Sequence, residues 1–426
     1  MKNNGIMRIA GNEYIFSVVV KILMLIIGVL HSAFLARFLG PELKGVAATI
    51  TSTVALSQVI ITCGIHQAYP YFKRQGKIEN LTNIFTNNVY FIYALLFMII
   101  VVLSFFFRGV FSQKTIFILL LTPIFAYENI VSYIYLIEKP LKKNSWSLLS
   151  SFAETVLIIF LWLFVKPNIF YMILAISAAI FIRAISSTVG VHAKLNIKLI
   201  SIKFIAKMLR FGIMPMIALI LTVMNSKIDV LMMDWGNVVT TASIGLYSVG
   251  IGIADKILAI PDAIREILLS KLVSGKSEQE VARVTRISFF FCLIMAGAVA
   301  LLGGPFLNVF YGAEYAGAYS VLVISSCGTA FMVFLKMISQ YNIVHKRQLA
   351  NLLMLAISVV TNVCFNLILI PHYGIDGAAI ASFIGHLVCA VCFIIYFSKV
   401  AHIRFAEILF PKKEDFEALL HRRNKK

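Results

Sequence analysis

Residues 349–370 read LANLLMLAISVVTNVCFNLILI, a run of 22 residues without a single Asp, Glu, Lys, Arg or His. About 20 apolar residues in a helix cross a bilayer, because each residue rises ~1.5 Å and the hydrocarbon is ~30 Å thick. The stretch therefore reads as a membrane-crossing helix, and the same pattern recurs along the chain. The first half carries apolar spans at 14–36, 46–72, 88–107, 116–137, 146–165 and 169–190, and the second half carries them at 211–233, 242–269, 287–310, 317–344, 349–370 and 377–398.

The composition agrees. Of 426 residues, 60% are hydrophobic and 13% charged, and the mean hydropathy is +0.91. A soluble domain is nearer half apolar and a quarter charged. The expected class is an all-α integral membrane protein with about 12 transmembrane helices in two six-helix lobes. The expected organisation is an N-lobe over 1–190, a basic inter-lobe linker over 191–210, a C-lobe over 211–400 and a basic tail over 401–426. Gly45 near the start of span two and Gly245 near the start of span eight hint at an internal duplication of six helices.

The formal charge of +19 comes from 38 Lys and Arg against 19 Asp and Glu. Its distribution is lopsided. The N-terminus, the even-numbered loops and the tail carry 27 basic residues, whereas the odd-numbered loops carry five, namely Arg37, Lys44, Arg108, Lys114 and Lys166. The positive-inside rule then predicts that both termini are cytoplasmic, and the charge reads as orientation rather than nucleic-acid binding. The first apolar run is too long for a cleavable signal peptide and is expected to remain as helix one. All six cysteines fall inside spans and read as packing residues, Cys389 and Cys392 included. No Gly-rich phosphate loop is present, so an ATP-driven pump within this chain is not expected.

Charged side chains deep in a span cost roughly 2.5–3.5 kcal/mol each on insertion scales, so they mark a cavity, a partner or a reach to the interface. The deep basic set is Lys21, Arg183, Lys227, Lys256 and Lys336; the deep acidic set is Glu128, Glu154, Asp229 and Asp255. Lys21, Arg183 and Lys336 lie roughly 10–12 Å from a helix end, within reach of snorkelling or an ion pair as well as a substrate. Asn225 and Asp229 share one helical face and Lys227 another. Asp255, Asp262 and Glu266 form a stripe on span eight, interrupted by Pro261, which suggests a bent gating helix. The tail from residue 401, with leucines and phenylalanines among basic residues, is expected to lie on the anionic leaflet.

Three stretches together carry a family resemblance. Arg37-Phe38-Leu39-Gly40-Pro41-Glu42 resembles a signature of polysaccharide-transport flippases. Ile228-Asp229-Val230-Leu231, Ile244-Gly245-Leu246-Tyr247-Ser248 and Ile260-Pro261-Asp262-Ala263-Ile264 resemble the family's seventh and eighth helices. Tyr311-Gly312-Ala313-Glu314-Tyr315 and the run from Asn366 to Ala379 are similar to its last two loop motifs. Asp234-Trp235-Gly236 departs from the pattern, since smaller residues are expected there. The resemblance is to the O-antigen and capsule flippases of the multidrug/oligosaccharidyl-lipid/polysaccharide (MOP) superfamily. It implies translocation of an undecaprenyl-diphosphate-linked oligosaccharide from the inner to the outer leaflet of the bacterial cytoplasmic membrane by rocking of two lobes. It also implies membrane lipids, a polysaccharide polymerase and a chain-length regulator as partners.

On that reading the substrate-binding candidates are Lys21, Arg37, Arg183, Lys227, Asp229, Asp255 and Lys336, with cations for the diphosphate and polar groups for the sugars. Glu128, Glu154, Pro261 and Asp262 are candidates for gating or ion coupling. No cofactor or metal is expected beyond a coupling ion, H+ or Na+. Two alternatives are a multidrug or organic-cation antiporter of the same superfamily and, more remotely, a polysaccharide polymerase. The polymerase reading wants a large outward loop that this chain lacks.

Overall fold

The computed structural model describes residues 2–106, 112–273, 278–412 and 415, with side-chain surroundings for all of these except 2–19, 21, 266, 267, 269–271 and 273. Among the described residues every regular element is helical. In chain order they are α1 (Lys2–Thr62), α2 (Ala68–Gln75), α3 (Leu81–Phe106), α4 (Gln113–Glu138), α5 (Pro140–Phe164), α6 (Ile169–Val191), α7 (Ile202–Gly236), α8 (Thr241–Ala254), α9 (Ala259–Val273), α10 (Glu278–Phe306), α11 (Tyr319–Val344), α12 (Gln348–Ala401) and α13 (Phe405–Leu409). Ten stretches among the described residues are long and apolar enough to cross a membrane, and two of them are double. The apolar part of α1 runs for 41 residues and α12 for 54, whereas one crossing takes about 20. Each is broken once, at Gly40 (φ 69°) and Gly374 (φ 56°), left-handed conformations that only glycine adopts without strain. Twelve crossings result, with α8 and α9 together making the eighth.

The chain forms two compact units, Met1–Val223 and Met224–Lys426, and the boundary falls inside α7. In the first unit, α1, α4, α5 and α6 bury Phe38, Ile50, Leu121, Ile158 and Met172, while a second cluster gathers Tyr69, Phe85, Ile130, Phe204 and Met208. In the second unit, Phe289, Phe334, Phe393 and Phe397 pack around α11. Large apolar side chains also cover outward faces, among them Phe105, Phe106, Phe164, Leu301 and Val360. Water would not tolerate so much exposed hydrocarbon; lipid does.

Of the departures from the sequence expectation, three have a local physical reason. Span two stops at Thr62 rather than 72, because Cys63 and Gly64 both take positive φ and turn the chain into a short 3-10 turn and α2; Pro70 thus lies outside the crossing. α7 starts at Ile202 rather than 211. Phe204 and Met208, four residues apart, are buried and hold one face of it, while Lys203, Lys207 and Arg210 point outward. The connection ahead of α7 is pinned rather than loose. Asn87 donates to the Lys194 carbonyl (2.9 Å) and accepts from the Asn196 amide (2.8 Å), and Asn88 donates to the Leu199 carbonyl (3.1 Å) and accepts from the Ser201 amide (2.9 Å). An irregular backbone strap is thereby given the partners that a helix would have supplied.

The third difference is the tail. Of its described apolar side chains Ile408 is fully buried against the unit core, whereas Phe405 and Phe410 stay exposed, so only part of the tail's apolar surface is left for the leaflet. Arg286 of α10 holds Asp415 with two hydrogen bonds (2.5 and 2.6 Å) and donates a third to the Glu407 carbonyl (2.8 Å). Burial alone would raise the Asp415 pKa, but Arg286, the Lys412 amide and Arg283 outweigh it and hold the carboxyl below its usual value.

A group whose folded pKa is depressed contributes stability above its unfolded value and loses it as pH falls through the folded one. Protease protection of the tail is therefore expected to persist at neutral pH and down to ~4, and to fail only below that; Asp415→Asn should expose the tail at every pH. Asn88→Ala should destabilise the protein by about 1–3 kcal/mol, the cost of unpaired buried groups, and open 194–201 to limited proteolysis. Thermal unfolding in detergent with mapping of the cleavage sites checks both effects of that substitution.

Candidate functional site

Each unit gathers charged and polar side chains within its crossings, by different means. In the first unit α5 carries Glu154, whose carboxylate lies 3.7 Å from the Arg183 guanidinium on α6 and 3.8 Å from the His31 ring on α1. Glu128 on α4 takes a hydrogen bond from Ser132 and lies within electrostatic reach of Arg183 and of Lys143 on α5. Three of the expected residues, Glu128, Glu154 and Arg183, thus come together, joined by His31 and Lys143. The mixed charge makes each member tolerable in a low dielectric.

In the second unit the chain bends at the eighth crossing. The break is the tight 3-10 turn Asp255–Leu258, one turn before Pro261 rather than at it. Proline has no N–H and its ring crowds the carbonyl four residues earlier, here that of Ile257, while Pro261 itself sits in the first turn of α9 at little cost. The freed Ile257 carbonyl faces the Cys292 thiol at 4.0 Å. The turn leaves Asp255 exposed, with Lys227, His386, Lys336 and Lys256 within electrostatic reach. Lys336 on α11 is not a snorkelling side chain, since its ammonium donates to both oxygens of Asp262 at 2.7 and 2.9 Å. Arg265, three residues along the same helix, is farther from Asp262 at 3.9 Å.

Asp229 forms a separate hub. It is 1% exposed and accepts from the Tyr247 hydroxyl (2.6 Å), the Asn366 amide (2.6 Å) and the Ser382 hydroxyl (2.5 Å). Asn362 donates to Ser382, and Ser358 donates to Asn225, extending the network along α12 to α7. The three groups bonded to Asp229 are all donors, and the His386 ring lies within electrostatic reach. No Lys or Arg pairs with it among the described residues, and the Asn366 side-chain oxygen is buried without a partner. A carboxylate beside an unused carbonyl oxygen is a setting for a hard monovalent cation or for a proton. Among the described residues no group of three or more His, Cys, Asp or Glu could hold a metal ion, and Cys389 is a core residue.

Two further candidates lie on α1. The Arg37 guanidinium sits 6.0 Å from the Trp162 ring centroid, three residues before the Gly40 break. Lys21 is on α1, with its side chain outside the described residues. The sequence reading did not single out Tyr247, Ser358, Asn362 or Ser382 for the hub. The spacing of Ser358, Asn362 and Asn366 at four-residue intervals within an apolar span was the signal available. Asp229→Asn places an amide donor among three donors and should cost about 1–3 kcal/mol, visible as a lowered unfolding temperature, whereas removal of a merely exposed charge would leave that temperature nearly unchanged.

Comparison with known proteins adds family and fold. Residues 34–320 match the family described as polysaccharide biosynthesis protein. The structure is similar to that of a lipid II flippase, MurJ, in its inward closed conformation (TM-score 0.71, 18% identity, 91% of this chain and 90% of that one). It is similar also to an inward-facing multidrug resistance MATE family transporter of the MOP superfamily (TM-score 0.64, 14% identity, 91% and 98%). The Vibrio cholerae MATE transporter VcmN in its bent form is a more distant likeness (TM-score 0.52, 14% identity, 94% and 99%). No curated protein sequence matches. At these identities the structural likenesses speak to the fold alone.

Proposed function

The chain belongs to the polysaccharide biosynthesis protein family, on the multi-pass fold of MOP-superfamily transporters and flippases, and from that premise we propose that it flips an undecaprenyl-diphosphate-linked oligosaccharide from the inner to the outer leaflet of the cytoplasmic membrane. The observation that carries the reading is the conjunction of a polysaccharide family with a fold shared by a lipid II flippase. The residues suit the physical demands of such a passage. A diphosphate and several sugars must pass ~30 Å of hydrocarbon while the lipid tail stays in it.

In this proposal Lys21, Arg37, Arg183, Lys227 and Lys336 serve the diphosphate, and Asp229 and Asp255 serve polar groups of the cargo or its counter-ion. Arg183 and Lys336 already hold carboxylates, so substrate phosphate would exchange with Glu154 and Asp262 as the two units rock. Glu128, Glu154, Pro261 and Asp262 then belong to gating. The Asp229 hub is the proposed seat of the coupling ion, Na+ or H+. The 27-to-five distribution of basic residues supports cytoplasmic termini. A polymerase and a chain-length regulator are the proposed partners downstream.

The test is the leaflet position of the lipid-linked glycan after deletion of the gene, read with a membrane-impermeant glycosidase on intact spheroplasts. The expected result is intermediates confined to the cytoplasmic face and released on complementation. Normal arrival at the outer face would reject the assignment and favour cation export by the same fold. Lys227→Ala should lower flipping roughly 10- to 100-fold, the loss of one charge-assisted phosphate contact.

A further inference from the structure

The first unit carries a groove that the flipping proposal does not use. It lies between α3, α4 and α6, encloses about 500 Å³, and is walled by Tyr93, Phe97, Pro123, Phe181 and Ile185. Its hydroxyls are spent inward. Thr188 donates to the Ala184 carbonyl (2.7 Å), so Tyr127 donates to Thr188 (2.7 Å), and Tyr90 bonds in turn to Tyr127. What the groove presents is hydrocarbon.

Ile185 and Val189, both exposed, carry the groove over α6 into a cleft bordered by Trp146 and His192, and Trp146 also borders a cleft with Lys142. Of the three lysines that open α5, Lys139 donates to the Gly190 carbonyl (3.0 Å) and Lys143 faces Glu128; Lys142 is the one at this cleft. A half-exposed indole beside an exposed ammonium is the arrangement found where headgroups begin.

From these features we propose that the path is a binding site for one anionic phospholipid, its acyl chain in the groove and its phosphate at Lys142, with Trp146 at the boundary between them. The length fits one leaflet. Phe181 and the end of α6 at Val191 are ten residues apart, about 15 Å, which is half of the ~30 Å hydrocarbon layer. A polyprenyl chain longer than a leaflet would overrun it. Charge favours the same occupant, since Lys142 complements a phosphate and the groove offers nothing polar to a sugar.

Native mass spectrometry of the full-length protein, loaded with equimolar phosphatidylglycerol and phosphatidylcholine, tests the site. Wild type should retain phosphatidylglycerol selectively. Lys142→Glu should reduce that retention roughly fivefold or more, as expected for a basic residue near an anionic headgroup. Val189→Trp, on an exposed position that folding does not need, should abolish it, while Val360→Trp on a lipid-facing position of α12 should not. Unchanged adducts in Val189→Trp with an unchanged unfolding temperature, equal retention of both phospholipids, or displacement of phosphatidylglycerol by equimolar undecaprenyl phosphate would each overturn the proposal. Retention is read without transport, so its failure leaves the flippase reading untouched, and a failed leaflet assay leaves the lipid site untouched.

Discussion

Hydrocarbon offers a peptide bond no hydrogen-bonding partner, and nearly every feature of this chain is an answer to that constraint. Helices are the first answer. Threonines within them fold their hydroxyls back onto the carbonyl four residues earlier, as Thr122 does to Ile118 (2.6 Å) and Thr285 to Val281 (2.7 Å). Where the helix must break, the exposed backbone finds a substitute. Asparagine amides serve the strap at 194–201, and a thiol sits opposite the carbonyl that Pro261 releases.

The same constraint governs charge. The first unit mixes signs, setting Glu128 and Glu154 among Arg183, Lys143 and His31. The second unit sets Lys336 directly on Asp262 and gathers lysines and His386 around Asp255, while the hydrogen bonds to Asp229 come from two hydroxyls and an amide. A paired charge is balanced within the protein. Asp229 has no Lys or Arg paired to it among the described residues, which is why the hub rather than the ion pairs is the proposed seat of a coupling ion.

Span positions and the twelve-crossing count were legible because hydropathy is set by the bilayer and not by tertiary packing. The two double helices were not, since the stretches around Gly40 and Gly374 read as loops, whereas the helix runs through each with a single break at the glycine. Helix ends were legible only in part. Residues 63–72 remain largely apolar after the helix has turned, and 203–210 look basic although Phe204 and Met208, one helical turn apart, face the core. The polar hub was half legible. Asp229 announces itself as an acid in a span, but Ser358, Asn362 and Ser382 are common in membrane helices and become partners only when α12 folds back at Gly374. The asparagine contacts were illegible for a related reason, because their partners are backbone groups more than a hundred residues away.

That separation has a bearing on biosynthesis. Asn87 and Asn88 enter the membrane region early, yet the groups they bind are 107 to 113 residues further along the chain. Until residue 201 has been made, the two amides have only the carbonyls of Asn83 and Ile84 on their own helix to donate to, and their oxygens lack the Asn196 and Ser201 amides. The first unit therefore cannot close before its sixth crossing has been inserted.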